Sequence, residues 1–388
     1  MMKATVHPIR KTAALALVLA LLASFAFAAR AQALPAKFWG VVPQTSLSDE
    51  HFERLTRGGV ESIRVPLGWA DLQSQRGGQI SWSGVDYLVE KAALAGLDVL
   101  PTISGAPIWA VPVANVQGDR TAKAPAHLPV TGPAAAGWRS LLIQAVERYG
   151  PGGQFWLTHP NVPVRPIRSW QIWNEPNFKY FVAKPNPAEY GKLVKQSYAA
   201  LKVADPGAQV VLAGLFSQPL GGRYNRLVKG VKRLQHPSSI NYFASYFLEQ
   251  MYKTTPGIKS KFSAVALHPY TETWRYLTPE IEEVREVLKA SHDPAKALWI
   301  TELGWSSGPK RSNDAFAKGP AGQVAELRGA FQLLTANAVK WRIKRLYWFS
   351  VEDARESCNF CDGTGLFTEA FRPKRSWTEY AKFAGGTP

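Results

Sequence analysis

Two glutamates stand at the ends of strongly apolar segments: Glu175 in WQIWNEPN (170–177) and Glu302 in LWITELGW (298–305). A charge placed directly after such a segment is costly to desolvate unless it has a purpose. A pair of carboxyl groups about 5–5.5 Å apart can cleave a glycosidic bond with retention, one protonating the leaving oxygen while the other attacks the anomeric carbon. Taken singly, either glutamate equally describes a solvated charge at a strand end. The pair carries the signal, and it needs a fold that brings two distant strand ends together.

Eight short apolar or β-branched runs supply candidate strands: 38–42, 62–67, 98–103, 169–174, 209–216, 263–270, 298–303 and 345–350. Helical patterns fall near 49–57, 83–95, 135–149, 187–204, 239–252, 279–290, 320–340 and 376–383, one for each strand. Eight such units predict an α/β fold, a (β/α)8 TIM barrel forming a single catalytic domain over 34–388. A doubly wound sheet is the competitor, but VVPQTS after the first run lacks the Gly-rich phosphate turn of that fold. Glu175 then ends the fourth strand, which Pro176 is expected to stop, having no N–H for the ladder. Glu302 ends the seventh, and the two-residue period puts it on one face with Leu298 and Ile300, expected to point inward. The segment 105–134, rich in Gly, Pro and Ala, reads as a long loop on the side of the third strand where barrel enzymes build clefts.

The triplet Asn174-Glu175-Pro176 within WNEPN, taken with TELGW, resembles clan A of the glycoside hydrolases, on the side of families 39 and 5. SGAPIWA (104–110) and DPGAQVVLAG (205–214) add to the likeness, which covers nearly all of the chain after the leader. The resemblance implies a retaining glycosidase acting on β-linked oligo- or polysaccharides, with Glu175 as acid/base and Glu302 as nucleophile. It implies that Asn174 binds the sugar 2-hydroxyl, and that Arg64, alternating with Ile63 and Val65, points inward and holds Glu302 charged. Tyr270 would steady the nucleophile, His268 would lie near the subsite floor, and Trp348 would form the aromatic floor. His268 and Tyr270 share a face with Ala264 and Ala266 by alternation, although a lone strand histidine also describes a satisfied core group. Trp69, Trp109 and Trp305 each follow a strand and either stack on sugar rings or pack within loops. Ile103-Ser104-Gly105 holds no histidine at the end of the third strand, a departure from family 5 that favours the family 39 side. Two rivals stay open: a non-catalytic glycan-binding barrel and a transglycosylase.

A leader precedes this domain. Lys3, Arg10 and Lys11, the apolar run from Ala13 to Ala29 and the small-residue site Ala31-Gln32-Ala33 predict a signal peptide over 1–33 and a secreted protein, with no stable membrane insertion after cleavage. An uncleaved anchor is the alternative reading of the same run. Losing Lys3, Arg10, Lys11 and Arg30 lowers the formal charge only from +17 to +13, so the secreted form stays basic. No nucleic-acid motif accompanies that charge, and the basic run Arg226–Arg233 reads equally as a polyanion patch or the wet face of a helix. Cys358 and Cys361 suit a disulfide closing a small loop in an oxidising compartment. No cluster suggests a metal or an organic cofactor, and oligomeric state is not legible.

Overall fold

The computed structural model describes residues 34–116, 119–217, 242–309, 315–354 and 361–388. The expected leader, the basic run Arg226–Arg233 and Cys358 lie outside the described residues. Ten strands run in chain order: β1 (Trp39–Val42), β2 (Ser62–Gly68), β3 (Asp98–Ser104), β4 (Val113–Val116), β5 (Asp119–Pro125), β6 (Ser169–Ile172), β7 (Gln209–Phe216), β8 (Ala264–His268), β9 (Ala297–Leu303) and β10 (Ile343–Phe349). Eight of them close a parallel barrel in the order β1-β10-β9-β8-β7-β6-β3-β2. The barrel expectation therefore holds, with each of the eight expected runs on a barrel strand. Parallel strands are covered on both faces, which is why these runs read as nearly continuous apolar stretches rather than as clean alternation.

Helices cover the outside. The one spanning Pro187–Ala204 shows how the sequence sets an end: the Asn186 side chain accepts from the N–H groups of Ala188 (2.9 Å) and Glu189 (3.2 Å), and Pro187 opens the first turn. Its buried face, including Tyr190, Leu193, Val194 and Leu201, lies against the barrel, and Tyr190 Oη donates to the Ile172 carbonyl (3.0 Å). Among the described residues no helix is long and apolar enough to cross a membrane.

The segment 105–134 differs from its expected reading as a loop. It holds the antiparallel hairpin β4–β5, with Val113 opposite Pro125 and Ala114 opposite Ala124. Its four-residue β4 is exposed at Val113 and Asn115 and buries Val116 with Ala124 in a small cluster, too short an apolar pattern to read as a strand.

Inside the barrel the side chains form layers. Leu100, Val211, Ala264, Ala266, Trp299 and Tyr347 belong to one apolar cluster that plugs the interior. Above it, toward the strand C-termini, the interior turns polar: Arg64, Thr102, Gln171, His268 and Thr301 are all buried there. That change of polarity along the axis is what positions the site.

Candidate active site

At β6 the strand ends earlier than the sequence suggests. Pairing stops at Ile172, the Trp173 N–H donates to Ile103 O (2.8 Å), and the backbone turns left-handed at Trp173 (φ 72°) and again at Glu175 (φ 40°). Pro176 therefore does not stop the strand; it follows a kink already made. A left-handed glutamate is a strained conformation, costing on the order of 1–3 kcal/mol, and it persists here because neighbours fix it on both sides. Asn177 is the main clamp. Its Nδ2 donates to the carbonyls of Phe216 (2.7 Å) and Tyr242 (2.8 Å), and its Oδ1 accepts from Phe216 N (3.1 Å). This second asparagine of NEPN escaped the sequence reading, although its place beside the first was the available signal.

Glu302 reaches the interior by a different route from the expected one. Trp299 belongs to the interior cluster and Thr301 bonds to Gln171 and His268, so Leu298 and Ile300 occupy the outward face. The pairing of β9 with β10 shifts register between Ile300 and Leu303, and that irregularity turns Glu302 inward against the strand's alternation. A two-residue period alone would have sent the carboxylate toward the helices.

Once inward, Glu302 is held by two donors. Arg64 Nη1 donates to Oε1 (2.6 Å) and Tyr270 Oη to Oε2 (2.8 Å). Arg64 is itself oriented by Gln171 Oε1 (2.6 Å) and Asn174 Oδ1 (2.6 Å), and Thr102 Oγ1 completes Gln171 (2.9 Å). Gln171 was missed from sequence; an amide in an apolar strand is the trace it left. Burial and the negative charge of Glu302 push the Tyr270 phenol well above its usual range, so it stays a hydrogen-bond donor.

Glu175 lies in the same buried set. Desolvation raises its carboxyl well above the ordinary value, the nearby charge of Glu302 raises it further, and the Arg64 guanidinium opposes both. His268 Nδ1 sits 2.6 Å from Glu175 Oε1, and Nε2 sits 3.0 Å from Thr301 Oγ1. Burial, then the Arg64 charge, depress the imidazole well below its usual range, so it is neutral. A neutral ring facing a protonated carboxyl accepts at Nδ1 and directs Nε2–H to the threonine. Gly214 on β7 makes room for this ring, since a Cβ there would meet His268 Nε2 at 1.8 Å.

Single donor atoms of Glu175, His268 and Glu302 all lie within 4.8 Å of one another. That composition can hold a cation, but both Glu302 oxygens already accept from Arg64 and Tyr270, and the guanidinium supplies the positive charge. The two carboxylates open on a cavity of about 530 Å³ at the strand C-termini, lined also by Arg64, Asn174, Tyr270 and several phenylalanines.

Arg64, Asn174, His268, Tyr270 and the two glutamates thus meet at one place, and the expected tryptophans do not. His268 is fully buried, its Nδ1 2.6 Å from Glu175 Oε1 and 3.5 Å from Glu302 Oε2, and it touches both carboxylates without lining the cavity. Trp348 points outward to pack on Phe331 (6.0 Å between ring centroids), and its Nε1 donates to Thr364 O; its neighbour Phe349 lines the cavity instead. Trp305 is also fully buried, donating to Thr271 O (2.8 Å), and Trp69 is buried with its Nε1 bound to Gln73. Trp109 packs edge-on to Trp69 and donates to Gln73 O, away from the residues that line the cavity. Trp69, Trp305 and Trp348 are thus core packing, the reading that side-chain volume favours, and half-buried Trp109 packs against Trp69. Cys361 reaches the cavity wall as a disulfide-bonded residue.

Residues 166–372, which carry both glutamates, match the family model described as glycosyl hydrolase catalytic core. A β-xylosidase from Geobacillus stearothermophilus is 25% identical over 190 residues, covering 44% of this chain and 31% of that enzyme. Thus the chain spans about a third of that curated relative's length. Two solved structures share the barrel. A family 39 glycoside hydrolase from the gut symbiont Bacteroides cellulosilyticus superposes with a TM-score of 0.58 at 18% identity, over 90% of this chain and 64% of that one. A monomeric β-xylosidase from Caulobacter crescentus does so with a TM-score of 0.58 at 18% identity, over 90% of this chain and 68% of that one.

Proposed function

The chain belongs to the glycosyl hydrolase catalytic core family, and from that premise we propose that it is a secreted retaining glycosidase that cleaves β-linked glycosides by double displacement. The observation that carries this reading is the closeness of the two buried carboxylates, with donor atoms within 4.8 Å across the cavity. Such closeness of one oxygen from each suits direct attack on the anomeric carbon, as in the spacing of roughly 5–5.5 Å of retaining enzymes, better than the gap of roughly 6.5–9.5 Å that an inverting enzyme leaves for water.

The two groups divide the work by environment. Glu175 holds its proton because burial and Glu302 disfavour its anion, so it is the acid that protonates the leaving oxygen. Glu302, gripped by Arg64 and Tyr270, is the carboxylate that attacks and forms the glycosyl-enzyme. As the leaving group departs, Glu175 becomes the anion, and it then takes a proton from the water that releases the sugar. Asn174 is oriented by Arg64 toward the cavity, where its amide can meet the 2-hydroxyl of a bound sugar, a contact that strengthens in the transition state. The expected leader supports a secreted location.

The test is hydrolysis of a panel of aryl β-glycosides, with the first-formed anomer followed by proton NMR. The β-anomer appearing first supports double displacement. Appearance of the α-anomer first would contradict it, as would binding of glycans by a protein that turns over none of them.

A further inference from the structure

Resting on the reading of Glu175 as the acid, we infer that the leaving-group side of the cavity is built for an apolar aglycone, aryl or alicyclic, rather than for a second sugar. The acid must touch the leaving oxygen, so the aglycone lies on the β6–β7 side, beside Glu175. The chain immediately after Glu175 forms that wall. Phe178 N donates to Glu175 O (2.9 Å) and Phe181 N to Phe178 O (3.1 Å), and this turn places both rings at the cavity. Phe216, at the end of β7, stacks on Phe178 with centroids 4.9 Å apart and planes 20° from parallel. It continues the belt to Tyr270, 5.9 Å away. Phe181 lines the cavity yet remains 37% exposed, an apolar ring with surface left to cover.

Among the described residues, Asn177 and Ser217 beside this wall are already committed. The Asn177 side chain spends its amide N–H groups and its oxygen on the backbone of Phe216 and Tyr242, and Ser217 Oγ donates to His268 O (3.2 Å). Besides the two glutamates, the polar side chains that line the cavity are Gln44, Arg64, Thr102, Ser104 and Asn174, from the ends of β1, β2, β3 and β6 where the glycone would lie, and Tyr270 after β8, whose hydroxyl is given to Glu302. A sugar on the phenylalanine side would therefore desolvate its hydroxyls against rings, with no side-chain partner among the described lining residues there. An apolar group loses nothing by the same burial.

Aryl glycosides alone cannot test this, because a good leaving group accelerates any glycosidase. The experiment uses one accepted glycone joined to two unactivated primary alcohols, cyclohexylmethanol and the primary hydroxyl of a second sugar; the sugar is the more acidic, so leaving-group ability works against the prediction. The inference predicts a kcat/KM roughly 10- to 100-fold higher for the cyclohexylmethyl glycoside, the factor that burial of a ring of that size supplies. In Phe178→Ser and Phe216→Ser the ratio falls toward one. The wild-type ratio is decisive by itself if either variant fails to fold. A disaccharide hydrolysed as well as or better than the cyclohexylmethyl glycoside, by an enzyme that still forms a Glu302 adduct with a fluoroglycoside, would overturn the aglycone inference and leave the catalytic reading standing. No adduct and no hydrolysis of any glycoside would overturn both.

Discussion

The two ends of the barrel use the same ingredients, a cation against a carboxylate, for different purposes. At the mouth, Arg64 and Glu302 meet at 2.6 Å with side chains only 5% and 10% exposed. At the opposite end, where β3 begins, Asp98 pairs with Lys37 and with Arg165 (3.0 Å), with the three side chains between 25% and 47% exposed. Water screens the second cluster, so each contact there is worth little. The first pair sits where desolvation is expensive and removing either partner strands a charge. Exposure, more than the identity of the partners, decides which ion pair tunes chemistry and which decorates a surface.

Substitutions at the two ends sharpen this contrast. Glu302→Gln is expected to lower kcat by about 10⁴-fold or more, since it removes the attacking group, and Glu175→Gln by about 10²- to 10⁴-fold. Steady-state kinetics with an activated aryl glycoside checks both, and azide should rescue a Glu175→Ala variant, whose first step needs no acid for such a leaving group. Arg64→Met leaves Glu302 buried without its cation and frees acceptors on Gln171 and Asn174. Urea unfolding should show a loss of about 3–5 kcal/mol, with activity falling too.

A smaller effect concerns pH. Glu175 has a folded pKa above its unfolded one, so the folded state binds the extra proton, and stability is full below the unfolded value and lost as pH rises through the folded one. Wild type should therefore lose stability relative to Glu175→Gln across that window in thermal melts at stepped pH. Activity should fall over the same window as the acid loses its proton, and Glu302→Gln should move the Glu175 titration downward, readable by carbon-13 NMR of labelled glutamate. The smallest effect belongs to the floor: Asp98→Asn should change stability by no more than about 1 kcal/mol and leave kcat/KM as it was. A loss at Asp98 as large as at Arg64 would erase the distinction between the two ends.

Much of this was legible in the residues. The eight barrel strands announced themselves because parallel strands buried on both faces must be apolar throughout, and both glutamates stood out against that background. What stayed hidden depended on geometry that alternation does not encode. Glu302 faces inward because β9 slips register against β10 after Ile300, so the carboxylate does not share the outward face of Leu298 and Ile300 as alternation implied. Trp348 and Phe349 exchanged roles for the related reason that one step along a strand changes sides, and tryptophan's size favoured packing over display. His268 was found, but only the fold shows that it touches both carboxylates while staying out of the cavity lining. The β4–β5 hairpin was hidden because VANV is only four residues long and sits in a Gly-, Pro- and Ala-rich segment, with little more than Val116 and Ala124 buried in a small cluster of their own.

The central claim is that Glu302 becomes covalently bonded to the sugar while Glu175 does not. Incubation with 2-deoxy-2-fluoro-β-glycosyl fluorides of several sugars, followed by peptide mass spectrometry, measures this directly. The account predicts time-dependent inactivation with the added mass on the peptide containing Glu302, retained in Glu175→Gln because fluoride leaves without an acid, and absent in Glu302→Gln. A label on Glu175, or steady hydrolysis of the matching β-glycoside with no label anywhere, would contradict it.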